Sequence, residues 1–70
     1  MGAKIKCYKG NADLFVDGNF FPILWDGMTF DNKEEWSEWA DEVLSPAADC
    51  NNYMDIRLSL HIHTMHLIND

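Results

Sequence analysis

Cationic residues are scarce in this chain. Five lysines and arginines stand against twelve aspartates and glutamates, for a formal net charge of −7. Three of the five, Lys4, Lys6 and Lys9, fall in the first nine residues, so from residue 10 onward the twelve acids face only Lys33 and Arg57. That balance argues against direct binding to nucleic acid or an anionic membrane and favours a basic partner. Cysteine is equally sparse. Cys7 and Cys50 are too few for a disulfide scaffold, and lying far apart in sequence they could pair only if the fold brings them together. No apolar run reaches the roughly 18 residues of a membrane span. The N-terminal MGAKIKCYKG has no apolar core of a secretory leader, so reduced thiols and a cytoplasmic location are expected. Internal repeats, linkers and low-complexity tracts are missing too. So are the Gly-x-Ser-x-Gly elbow and the phosphate loop. No enzyme and no cofactor are expected.

Apolar side chains are plentiful. Hydrophobic residues make up 47% of the 70 positions and nine are aromatic, which is too apolar for a disordered acidic tail. The length predicts one domain over residues 1–70, near the lower end of what folds unaided.

Ala3 to Lys9 alternates, with Ile5 and Cys7 on one face and Lys4, Lys6 and Tyr8 on the other, which predicts a strand. Gly10-Asn11 reads as a turn and Asp13 to Val16 as a short strand. Asp17-Gly18 suits a type I′ hairpin turn. Asn19 to Trp25 then returns as its partner, and Pro22 makes that strand an edge or bulged one. Asp26-Gly27 is a further turn, and Met28 to Phe30 adds a few strand residues. Pro46 to Tyr53 reads as a loop. Met54, Ile56, Leu58, Leu60 and Ile62 alternate with Asp55, Arg57, Ser59, His61 and His63, and this predicts the longest strand of the chain.

Between the strands lies Asp31 to Leu44, DNKEEWSEWADEVL. At about 100° per residue, Trp36, Ala40, Val43 and Leu44 share one side with Trp39 at its edge, while Glu34, Glu35, Glu38, Asp41 and Glu42 share the other. Asp31 and Glu34 form an Asp-x-x-Glu capping box, and Ser45-Pro46 ends the helix. Glu34–Glu38 and Glu38–Glu42 are like-charge i,i+4 pairs, each costing roughly 0.2–0.5 kcal/mol. The expected fold is α+β in the order β-β-β-α-β, an antiparallel-rich sheet with one amphipathic helix on one face. Trp36, Ala40 and Val43 are expected to meet Leu58, Leu60, Phe15 and Ile23.

Two constellations bear on function. His61 and His63 on one face of a strand, with His66 after a bend, are candidate metal ligands. The acidic helix is the other. Carboxylates four residues apart recur about every 6 Å along a helix axis, close to the phosphate repeat of a nucleic-acid strand. Glu34, Glu35, Glu38, Asp41 and Glu42 therefore form a candidate partner-binding face, with Trp39 as its apolar anchor and Asp26 and Asp31 extending it.

A short acidic domain carrying NKEEWSEWADEV and no catalytic motif resembles the small phage-encoded anti-CRISPR proteins, in particular the DNA-mimic kind that act on type I effector complexes. The resemblance is one of size, charge and layout over the whole chain. It implies a monomer in the host cytoplasm that occupies a Cas subunit's DNA-binding surface and blocks target DNA. The three N-terminal lysines depart from a uniformly acidic mimic and would confine the mimicry to one side. The alternative reading of the residues is a small structural or adaptor module that binds through apolar surface, including a homodimer by edge-strand pairing.

Overall fold

Alternation and turn chemistry build the first third of the chain. In a computed structural model that describes residues 2–69, strands β1 (Ala3–Tyr8), β2 (Asn11–Val16) and β3 (Asn19–Leu24) form an antiparallel meander in the order β1-β2-β3. Asp17 (φ 53°) and Gly18 (φ 82°) both take the left-handed region, as a type I′ turn requires. Gly10 does so as well (φ 80°), and a Cβ there would come within 3.0 Å of Asp26. Its carbonyl accepts from Trp25 N (2.9 Å), which ties the end of β3 to the first turn. Pro22 lies on β3, an edge strand, where its missing N–H costs no ladder bond.

Register decides which side chains enter the core. Ala3, Ala12, Leu14, Val16 and Ile23 point inward and are buried, with Ile5, Cys7 and Phe21 packed against them. Phe15 is therefore on the opposite face. It pairs there with Phe20 across the hairpin, ring centroids 5.7 Å apart, and is not the inward contact expected.

Helix α1 (Lys33–Val43) forms where its periodicity places it and buries Trp36 and Ala40, with Leu44 following as the C-cap. Its cap is one residue later than expected. Asn32, not Asp31, accepts from Glu35 N (2.9 Å). Pro46 lies in a short 3-10 turn, Ser45–Ala47, which ends the helix.

The expected final strand is a helix. Tyr53–Thr64 is α2, so the element order is β-β-β-α-α and the sheet stops at three strands. The alternation that suggested a strand comes from two i,i+4 stripes offset by two residues. Ile56, Leu60 and Thr64 face the core, while Met54, Leu58 and Ile62 face out. Leu58, expected to be inward, is 57% exposed. An ordinary surface helix would carry polar residues on that outer stripe and would not alternate.

Long-range bonds join α2 to both layers. Asn52, its N-cap, turns its side-chain amide to the β1 edge. There its Nδ2 donates to Ala3 O (2.9 Å) and its Oδ1 accepts from Ala3 N (3.4 Å). After α2 a 3-10 turn, Met65–Leu67, leads to a parallel bridge between Phe30 and Ile68. The class is α+β: a three-stranded antiparallel sheet whose inner face shares one hydrophobic core with α1 and α2, α2 lying against β1.

Candidate functional site

Trp36 is the hub between the helices. Its ring is 5% exposed, and its Nε1–H donates to Thr64 Oγ1 (2.7 Å). The Thr64 hydroxyl in turn donates to Leu60 O (2.7 Å), so the one buried polar side chain among the described residues satisfies the indole without leaving an open partner. His61 packs edge-on against Trp36 at 4.8 Å, and the Arg57 guanidinium lies 5.3 Å from the ring centroid. Above Trp36 an open groove of about 320 Å³ runs between the helices, walled by Met54, Leu58, Arg57, His61 and Lys33.

Arg57 sorts the acidic residues of α1. It is ion-paired with Asp41 through Nη1 and also donates through Nη2 to Ser37 Oγ. Tyr53 Oη joins the cluster, 3.2 Å from Arg57 Nη1 and 3.4 Å from Asp41 Oδ1. Asp41 therefore belongs to the α1–α2 seam and is engaged by the protein's own cation. Glu34, Glu35, Glu38 and Glu42 are different. All four are exposed, and among the described residues none has a lysine or arginine within ion-pair distance. Three of them, Glu34, Glu38 and Glu42, form a single i,i+4 row along α1 on the side away from Trp36.

The remaining candidates divide. Asp31 is exposed just before α1. Asp26 is exposed at the far end of β3, against Gly10 in the β1–β2 turn. Trp39 is half-buried, its ring 5.3 Å from that of Phe30, so it packs on the core and shows an edge at the border of the acidic row.

The histidines do not share a face. On a strand His61 and His63 would project together. On α2 they are about 200° apart at 100° per residue. His61 leans on Trp36, His63 Nδ1 lies 2.8 Å from its own helix's Ser59 O, and His66 is exposed in the 3-10 turn. Among the described residues no three histidine, cysteine or acidic side chains converge as metal ligands. Cys7 and Cys50 are both free and half-buried, and burial pushes the Cys7 thiol above its ordinary pKa.

Sequence reasoning missed the apolar outer stripe of α2, although the signal was present as the alternation itself. It missed the Arg57–Asp41 pairing for another reason: nothing local to either residue shows that α2 lies against α1. No helix among the described residues is long and apolar enough to cross a membrane. No protein-family model matches the chain, and neither a curated protein nor a solved structure matches it.

Proposed function

We propose that the chain is an acidic inhibitor that uses the outer face of α1 to occupy the cation-lined nucleic-acid-binding surface of a protein partner. The observation that carries this is the row Glu34, Glu38 and Glu42, with Glu35 beside it. These carboxylates are exposed on a rigid helix and unpaired by the described residues, although like charges at i,i+4 cost helix stability. Arg57, the cation that α2 sets against α1, is turned inward to Asp41 and leaves the outer row uncompensated. Lysines and arginines that normally neutralise phosphates would meet this row at a similar spacing. A Cas subunit of a type I complex, with target DNA as the excluded ligand, is the partner class that the anti-CRISPR resemblance supplies. Trp39 would add an apolar contact at the rim, and Asp31 lies at the N-terminal end of the same helix.

The double substitution Glu38→Lys with Glu42→Lys tests the reading. The expected result is loss of partner binding, read by competition with target DNA on the isolated effector complex, with an unchanged circular dichroism spectrum. Wild-type binding should also weaken steeply between low and high salt. Binding that survives the double substitution removes the proposal.

A second reading has its own observation. Met54, Leu58, Ile62 and Met65 are 57–70% exposed, which supports an interaction module working through apolar surface.

A further inference from the structure

We infer that the outer face of α2 is a self-association surface, on which a second copy of this chain docks by antiparallel pairing of the two α2 helices. Met54, Leu58, Ile62 and Met65 are spaced four, four and three residues apart, so they form a single stripe on the side opposite Ile56, Leu60 and Thr64. A helix that is apolar on two opposite faces is normally covered on both. The sheet and α1 cover one of them, and solvent meets the other.

Charge selects the occupant. The chain carries −7, yet the segment Tyr53–Leu67 has one acid, Asp55, and one fixed cation, Arg57, beside its three histidines. All the net charge at neutral pH lies elsewhere, so two copies can meet on this face without opposing net like charge across it.

The stripe is also self-complementary. A two-fold axis near Leu60 sets Leu58 of one copy against Ile62 of the other and Met54 against Met65. In an isologous interface each such contact is made twice. On one flank of the stripe Asp55 stands five residues before Leu60 and His66 six after it, in the 3-10 turn, so the axis brings each Asp55 towards the other copy's His66. The groove above Trp36 opens beside the Met54–Leu58 end, where the axis brings the second copy's Met65. An unbranched thioether adapts readily to such a hollow.

The face is short. Twelve residues span about 18 Å, which places the contact among the small interfaces, below about 1,200 Å² in total. The dimer is accordingly weak and concentration-dependent. It leaves Glu34, Glu38 and Glu42 outside the interface, so it does not depend on the inhibitor reading. Its salt response is opposite to that reading's: screening of two −7 chains strengthens self-association.

Sedimentation velocity on the whole chain from about 10 μM to about 1 mM tests this. The expected result is a shift from monomer towards dimer with concentration, larger at high salt. Leu58→Asp and, separately, Ile62→Lys should each hold the chain monomeric at every concentration with an unchanged melting temperature. Phe20→Asp, on the outer face of the sheet, should dimerise as wild type does. A wild-type chain that stays monomeric throughout overturns the inference. So does a dimer that persists in both α2 variants, or one abolished by Phe20→Asp alone.

Discussion

Helices α1 and α2 are nearly equal in length, 11 and 12 residues, and both bury side chains in the core they share with the three-stranded sheet. Their inner faces are alike: Trp36, Ala40 and Leu44 on one side, Ile56, Leu60 and Thr64 on the other. They differ on the outside. The outer face of α1 is carboxylate and that of α2 is apolar. An inner stripe opposed to a polar outer one gives a clear 3.6-residue period. An inner stripe opposed to an apolar one, two residues out of phase, gives period two. The core does not separate a legible helix from an illegible one here; the solvent face does.

The sharpest way to break that comparison is to make the same substitution on both sides of α2. Leu60 is fully buried and Leu58 is 57% exposed. Leu60→Ala should cost about 2–5 kcal/mol through lost transfer energy and the cavity left behind. In a domain this small that is a large share of the whole, so the variant should melt far lower or fail to fold. Leu58→Ala should stay within about 0.5 kcal/mol of wild type in dilute solution. Chemical denaturation of the two variants decides it. Equal costs would mean that Leu58 is not the solvent-facing member of the pair.

Legibility in the rest of the chain follows the same logic. The hairpins could be read because Asp17-Gly18 and the alternation of Ala3–Tyr8 are local signals, and the sheet's outer face is polar enough there to show the period. The α1 boundaries could be read from Ser45-Pro46 and from the apolar stripe, with an error of one residue at the cap because Asp31 and Asn32 are both capping residues with Glu three positions on. The Asn52 clamp on Ala3, the Trp36–Thr64 bond and the Arg57–Asp41 pair could not be read. They join residues 16 to 49 positions apart, and their existence depends on α2 being a helix. The candidate site was legible in the same measure. The exposure of Glu34, Glu35, Glu38 and Glu42 follows from α1 alone. The withdrawal of Asp41 into the seam does not, nor does the separation of the histidines.

The seam itself offers the next test. Thr64→Val keeps the shape of the side chain and removes the acceptor of the Trp36 indole, leaving a buried N–H without a partner. A cost of about 1–3 kcal/mol is expected, and about 4–8 °C in melting temperature for each kcal/mol in a domain of this size. Tryptophan fluorescence, to which Trp25 and Trp39 also contribute, gives an independent readout of the altered indole environment as the difference between variant and wild type. An unchanged melting temperature would show that the Trp36–Thr64 bond adds nothing to the joint between the two helices.

The smallest effect has the most informative sign. Glu38 sits between Glu34 and Glu42, one turn from each, so Glu38→Lys turns two repulsive i,i+4 pairs into attractive ones. A surface helix pair is worth about 0.2–0.5 kcal/mol in either direction, so reversing two of them should make the variant more stable than wild type by roughly 1 kcal/mol, and more so at low salt. A small rise in melting temperature that shrinks as salt is added is the expected observation. Such a rise would mean that wild-type α1 keeps an arrangement worse for its own stability than a single substitution could make it, a result that the proposed partner-binding role of the row requires. A fall would mean that Glu38 supports the folded chain, and the proposal that the carboxylate face of α1 serves a partner would lose its ground.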